Sequence, residues 1–97
     1  MELKDTISMM NSEDYKERFK AEYLQTKMRY EKLKAFNTKI QAAHETLYRK
    51  KEIEMPKHDC PESLLLEQQN IMGQYLHVLE VRAIIEGVDL EEVWKQY

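Results

Sequence analysis

The sequence predicts a single all-α domain over residues 1–97, built as an antiparallel helical hairpin of two long helices with a short helix at each end, and it predicts that such hairpins oligomerise. The composition is 42% hydrophobic and 34% charged with only two glycines and two prolines, which suits long helices better than the many turns of a sandwich or barrel. The apolar residues recur at helical spacing and cover more of each helix than one partner helix can bury.

The first element is a lead segment over residues 1–11. It is expected to form one or two helical turns from Asp5 or Thr6, with apolar anchors at Ile7, Met9 and Met10. The sequence leaves open whether this segment docks on the hairpin.

The first long helix is expected to begin at Asn11 or Ser12, because either side chain can accept a hydrogen bond from a free N–H of the first turn. No glycine or proline interrupts it before Pro56. The basic run at residues 49–51 lies where cations complement the negative end of a helix dipole, so the helix is expected to extend that far.

A short linker over residues 53–59 then predicts that the two long helices run antiparallel. The second helix opens at residues 60–61 with Pro61 at the first helical position and runs to Glu86, after which Gly87 supplies the left-handed residue that closes a helix. A last short helix is predicted from Asp89 to Trp94.

Each long helix has two apolar faces. On the first helix one stripe faces the second helix: Tyr15, Phe19, Tyr23, Tyr30, Leu33, Phe36, Ile40, Ala43 and Leu47. The opposite side carries Ala21, Leu24, Met28, Ala35 and Ala42. The second helix has one stripe of Leu65, Met72, Leu76, Leu79 and Ala83 and, beside it, a seven-residue repeat of Leu64, Ile71, Val78 and Ile85. Since one partner helix cannot cover both faces, that repeat, together with Met28, is predicted to form an oligomer interface.

Arg82 lies within the apolar arc of the second helix, where an unpaired guanidinium would be costly. Its partner is either a carboxylate, Glu86 one turn on or Glu22 on the facing helix, or a bound anion such as phosphate. Pairing residue i with about 113 − i of the second helix places Arg82 near Tyr30 and Glu86 near Lys27.

Tyr15, Tyr23, Tyr30 and Tyr75 share or border the helix interface. Such a row either packs as core or lines a ligand pocket, in which rings stack on nucleobases and Lys27, Arg29 and Lys34 supply positive charge. Gly73 in mid-helix indicates either a close approach by a backbone or ligand, or a tolerated glycine.

Composition also excludes several function classes. A net charge of −3 argues against binding to duplex nucleic acid, and the lack of a long apolar run argues against export or a membrane span, so a cytosolic location is expected. The sequence has no phosphate loop and no nucleophile with a poised base, and His58 and Cys60 beside Asp59 are too few ligands for zinc. No enzymatic activity, cofactor or metal site is predicted.

Two motifs carry a resemblance: DYKERFKAEY at residues 14–23, and CPESLL at residues 60–65 followed by QxxMxxYLxxLExRAxIEGxxL at residues 69–90. Over most of its length the chain resembles a family of small uncharacterised proteins encoded by phages and prophages of Gram-positive bacteria. Its plan of a lead helix, a long helix, a linker and a second helix with Gln, Met and Arg-Ala is also similar to the hairpin domain of phage anti-CBASS and anti-Thoeris sponge proteins.

Those sponge proteins oligomerise and sequester cyclic nucleotide immune signals without cleaving them. The resemblance therefore implies a phage-encoded anti-defence protein that holds a cyclic nucleotide between subunits in the host cytosol, with ligand contacts from Tyr23, Lys27, Tyr30, Tyr75 and Arg82. The alternatives are a modulator that binds and inhibits a host or defence protein, and a structural component of the phage.

Overall fold

The computed structural model describes residues 1–47 and 53–90, in which all regular structure is helical. A 3-10 turn, Leu3–Thr6, leads directly into the short helix α1, Ile7–Met10; the long helices are α2, Tyr15–Glu45, and α3, Glu62–Glu86. Helix α2 packs antiparallel against α3 on one side and against the lead segment on another. The predicted all-α hairpin of two long helices is confirmed.

Helix α2 begins later than predicted. The capping residue is Asp14, whose Oδ1 accepts a hydrogen bond from the Lys16 N–H at 3.0 Å, and the prediction of Asn11 or Ser12 is wrong. The Ser12 hydroxyl instead accepts from the Asp14 N–H at 3.1 Å and shapes the entry to the helix. A carboxylate at this position also complements the positive end of the helix dipole.

Helix α2 also ends earlier than predicted, at Glu45. Its last turn tightens, because the N–H groups of Thr46 and Leu47 bond to carbonyls three residues back, and the Thr46 hydroxyl donates to the Ala42 carbonyl at 2.9 Å. The basic run at 49–51, expected in the last turn, lies outside the described residues.

Helix α3 starts as expected to within one residue. Pro61 caps it from just outside, and its carbonyl accepts from the N–H groups of Leu64 and Leu65. The predicted end is confirmed: Gly87 is left-handed at φ 72°, and the Val88 N–H donates to the Ala83 carbonyl at 2.8 Å. The last short helix, predicted from Asp89 to Trp94, falls mostly outside the described residues, which end at 90.

The main core lies between α2 and α3 near the open end of the hairpin. Its buried side chains come from the two predicted facing stripes and from the residue after the α3 cap: Phe19, Tyr23, Leu76, Leu79, Ala83 and Val88. Tyr30 and Leu90 pack against its rim. The stripe is not buried throughout, since Tyr15 and Leu47 at its two ends remain exposed.

A second, smaller core lies on the other side of α2, where the lead segment docks. Leu24 and Met28 are buried against Leu3 and Met9. Thr6 is fully buried; its hydroxyl donates to the Leu3 carbonyl and accepts from Gln25 at 2.8 Å. Of the predicted anchors, Met9 packs in this core and Met10 accepts a contact from the Gln25 amide through its sulfur, while Ile7 stays about half exposed.

Met28 was predicted to face a second subunit, and the structure instead buries it within the chain, with 7% of its surface exposed. The lead segment supplies the cover that the apolar back of α2 requires. Met28 therefore needs no second subunit to cover it and is not part of the proposed oligomer interface.

The register of the hairpin follows from a seven-residue ladder on α2. Tyr23 donates to Glu80, the Tyr30 ring lies over Gly73, and Asn37 donates to Gln69 at 2.9 Å and to the Leu65 carbonyl at 3.2 Å. At the closed end, His44 pairs with Glu62 at 2.8 Å. The ladder pairs residue i with about 103 − i, as expected for a seven-residue repeat facing a partner helix.

The register predicted from sequence, about 113 − i, is therefore wrong. Because α2 ends at Glu45, the connection is longer than assumed and the turn of the hairpin moves toward the N-terminus. Arg82 consequently lies against Phe19 and not near Tyr30, and Tyr30 faces Gly73. A Cβ at position 73 would make only ordinary contacts of 3.4–3.8 Å with the Tyr30 side chain, so no close approach requires a glycine there.

We expect Leu24→Ala to lower the free energy of unfolding by about 2–5 kcal/mol, because it opens a cavity between α2 and the lead segment. Leu47→Ala, at a position with 64% of its surface exposed, should change it by less than about 0.5 kcal/mol. Urea denaturation followed by circular dichroism measures both, and equal effects would contradict docking of the lead segment.

Asn37→Ala should cost about 1–2 kcal/mol, because it removes a buried donor and leaves the Gln69 amide oxygen without its partner. Asn37→Leu should be close to wild type or more stable, because apolar packing replaces the polar pair. The same denaturation experiment compares them. An Asn37→Leu variant that loses as much as Asn37→Ala would show that the hydrogen bonds themselves stabilise the hairpin.

Candidate ligand-binding site

The five ligand-binding residues predicted from sequence lie on two different edges of the hairpin. Successive residues on a helix point about 100° apart. Glu22 and Tyr23 therefore reach α3 on opposite sides: Tyr23 bonds to Glu80 and Glu22 accepts from Tyr75. The tyrosine edge comprises Tyr23, Lys27, Tyr30, Lys34 and Glu80, and the arginine edge comprises Glu22, Tyr75, Arg82 and Glu86. Within one chain they do not form a single site.

On the tyrosine edge, Tyr23 is part of the core. It is 2% exposed, and its hydroxyl donates to Glu80 at 2.9 Å. A ring buried this far holds the edge in place but offers no face to a ligand.

Tyr30 is the partly exposed aromatic residue of the same edge, at the rim of the main core. One side of its ring faces Gly73, where an added Cβ would lie 3.4 Å from the ring, an ordinary van der Waals contact. The Lys34 ammonium lies 6.0 Å from the centre of the ring. This distance is at the outer limit of a cation–π contact, so the lysine marks a positive charge beside an aromatic surface.

Lys27 and Lys34 belong to a row of lysines that sequence inspection missed. The row is completed by Lys16 and Lys20, at spacings of four, seven and seven residues, which place all four within about 40° of α2. Lys20 pairs with Glu17 at 3.3 Å and Lys27 with Glu31 at 3.4 Å. Among the described residues no carboxylate lies within ion-pair distance of Lys16 or Lys34. The spacing alone could have revealed this row.

A groove of about 490 Å³ opens beyond Tyr23, toward the end of α3. It is lined by Tyr23, Glu80, Ala83, Ile84, Val88, Asp89 and Leu90. Its two carboxylates, Glu80 and Asp89, disfavour a phosphate in this groove.

On the arginine edge, Arg82 is held by its own helix. Its Nε donates to Glu86 at 2.8 Å, and the guanidinium lies 4.8 Å from the centre of the Phe19 ring. The Glu86 hydrogen bond raises the pKa of Arg82 above its ordinary value, so the side chain stays charged. Of the partners predicted for Arg82, the Glu86 ion pair is confirmed. The side chain is half exposed, so the desolvation that required a partner is small.

Tyr75 lies beside Arg82 on this edge, with its hydroxyl donating to Glu22. This hydrogen bond is the largest cause that raises the pKa of Tyr75 above 10.0; burial and the charge of Glu22 act in the same direction, and Arg82 opposes them. The ring remains 41% exposed. The edge therefore combines an accessible phenol and a fixed guanidinium with two carboxylates.

No group of three or more His, Cys, Asp or Glu residues among residues 1–47 and 53–90 is arranged to hold a metal. Neither long helix, over its described part, is apolar enough to cross a bilayer.

Comparison with known proteins yields one match. A family model described as Sequestin matches residues 13–85, which span α2, the linker and nearly all of α3. No curated protein and no solved structure matches the chain.

Tyr75 should titrate above the ordinary tyrosine value, and Glu22→Gln should lower its pKa toward 10.0 by removing the negative charge that favours the neutral phenol. Because the folded pKa is the higher one, the contribution of this hydrogen bond to stability is complete below about pH 10 and is lost as the pH rises through the folded pKa. The difference in tyrosinate absorbance between wild type and Tyr75→Phe isolates this residue.

Glu17→Gln is the matched control, because Glu17 pairs with Lys20 and not with Tyr75. The hydrogen bond between the two helices would be disproved by a Tyr75 titration that is the same with Glu22 and with Gln at that position.

Proposed function

The chain belongs to the Sequestin family, and we propose that it binds and sequesters a small nucleotide signal, such as a cyclic nucleotide, without converting it. From its resemblance to phage proteins, we further propose that it acts in the host cytosol as an anti-defence protein. The family name suggests a sequestering role, which is a binding role and not a catalytic one. The nature of the ligand is our inference from the side chains.

The observation that carries the proposal is the pairing of Tyr30 with Lys34. A nucleotide has a flat base and a phosphate, and it is recognised by an aromatic face with a cation close to it. Tyr30 offers a partly exposed ring, and the Lys34 ammonium lies 6.0 Å from the ring centre with no carboxylate in ion-pair distance within the described chain.

The other residues of the tyrosine edge have different roles in the proposed site. Lys27, one turn before Tyr30 and Glu31, is a second cation within reach of a phosphate, although it must share its charge with Glu31. Tyr23, buried below and bonded to Glu80, fixes the position of α2 against α3. Its contribution is to positioning and not to contact.

Tyr75 and Arg82 can join the same ligand only through another subunit, because they lie on the opposite edge of their own hairpin. The exposed repeat of Leu64, Ile71, Val78 and Ile85 supports an oligomer, but one formed along that repeat places Tyr75 and Arg82 at the subunit boundary and not at the tyrosine edge. In an oligomer Arg82 would retain Glu86 as its first partner, so we assign the primary phosphate contact to the lysines.

Isothermal titration calorimetry against a panel of cyclic dinucleotides and cyclic ADP-ribose isomers tests the proposal. We expect at least one member to bind, and Lys34→Ala to weaken its binding by about tenfold, the effect of losing one charge-assisted contact. Tyr30→Phe should have little effect, because the ring that stacks is kept.

Lys39→Ala is the matched control, since Lys39 is an exposed lysine on a different side of α2 from Tyr30. A flat response across the panel would refute nucleotide binding. Equal losses in Lys34→Ala and Lys39→Ala would place the ligand away from the tyrosine edge.

A further inference from the structure

One side of α3 is left without a partner in the described chain. The seven-residue repeat predicted as an interface is exposed along its whole length: 52% at Leu64, 57% at Ile71, 53% at Val78 and 77% at Ile85. The opposite side of the same helix buries Leu76, Leu79 and Ala83 against α2. We call the exposed side, residues 64, 71, 78 and 85, the outer stripe. A continuous stripe of this kind is uncommon on a monomer and typical of an interaction surface.

The charges of α3 agree with this interpretation. Between Glu67 and Glu80 no Asp, Glu, Lys or Arg occurs in twelve residues, although 34% of the whole chain is charged. Interface centres are depleted in charge in the same way. Helix α2 differs, with eight Lys or Arg and four Glu in its range. The centre of α3 therefore shares its lack of charge with the centres of protein interfaces.

The dimensions of the chain indicate how much surface is available. Its radius of gyration is 16.9 Å, against about 12.5 Å for a compact domain of this length. Its accessible surface is 7390 Å², against about 5,900 Å² for a compact monomer of 11.7 kDa. The elongated hairpin therefore exposes more surface than a compact domain of this length would.

The two charges that flank the uncharged centre identify the occupant. Glu67 and Arg82 lie within about 30° of the middle of the outer stripe. Glu67 has no hydrogen-bond or ion-pair partner among the described residues. Arg82 bonds to Glu86 through Nε and Nη2, and the described chain provides no hydrogen bond for its Nη1. An acid and a base at equal distances from one centre are what a two-fold axis brings together.

We infer that the chain forms a two-fold dimer in which α3 packs antiparallel on α3 of a second copy, along the outer stripe. Residue i then lies opposite about 149 − i of the second copy, a self-complementary register. It places Leu64 opposite Ile85, Ile71 opposite Val78, and Glu67 opposite Arg82 of the second copy. The inference rests on the oligomeric binding protein proposed above and names the surface and orientation of its partner.

Charge selects the antiparallel orientation over the parallel one. In a parallel pair the two copies of Arg82 would be neighbours and so would the two copies of Glu67, which places like charges together at both ends. In the antiparallel pair both ends carry opposite charges. This arrangement also brings the second copy alongside the arginine edge, so Tyr75 and Arg82 adjoin the subunit boundary while the tyrosine edge stays open.

A charge-swap cycle tests the register. Glu67 and Arg82 are fifteen residues apart on one straight helix, about 22 Å, so they cannot contact each other within a chain. Glu67→Arg and Arg82→Glu should each weaken the dimer by about tenfold, and the double variant should restore most of the loss. Sedimentation equilibrium without added nucleotide gives the dissociation constants, and circular dichroism verifies that each variant stays helical.

Additive losses in the double variant would overturn the antiparallel register. A wild-type chain that is monomeric at micromolar concentration would overturn the dimer itself.

A second pair of variants tests the surface independently. Ile71→Glu should dissociate the dimer by placing an unpaired carboxylate at its centre. Ile84→Glu should leave it intact, because Ile84 is 84% exposed but lies about 130° from the middle of the outer stripe. A dimer that survives Ile71→Glu would exclude this face.

The dimer and nucleotide binding can fail separately. A chain that shows the charge coupling but binds no nucleotide would overturn the proposed function and leave the dimer standing. A chain that binds nucleotide as a monomer would overturn the dimer and leave the proposed function standing.

Discussion

The structure depends on the requirement that α2 bury apolar surface on two sides at once. On one side α3 covers Phe19, Tyr23 and Ile40, and on the other the lead segment covers Leu24 and Met28. Because the first contact includes polar atoms, only a register that satisfies them is stable. Asn37 reaches its partners on α3 in the observed register, and no buried side-chain polar atom in the described chain is left without a hydrogen bond.

The two long helices consequently differ in what remains uncovered. Helix α2 has apolar residues buried on two sides, and its remaining surface carries the lysine row. Helix α3 has one side buried, and the outer stripe has no equivalent of the lead segment within the described chain. The two helices also differ in charge. Helix α2 carries an excess of cations, whereas α3 carries four Glu and one Arg. A small anionic ligand and a second protein copy therefore suit different helices.

The candidate site follows from the same packing. Tyr30 faces Gly73 at the rim of the main core and stays partly exposed. Tyr23, seven residues earlier, meets a full set of core side chains and is buried. Two tyrosines on one stripe thus have different roles, and what each meets on α3 decides which one a ligand can reach.

The sequence by itself determined the helical class, the two long elements, the facing stripes and the Gly87 cap, because these depend on periodicity and on local backbone preference. It did not determine the start of α2, since Asn11, Ser12 and Asp14 are all good capping residues and only the completed turn selects one.

Tertiary structure alone decided the register, the burial of Met28, and the separation of Tyr75 and Arg82 from Tyr30. Each of these depends on which distant residue a side chain meets, and the spacing along one helix carries no information about that.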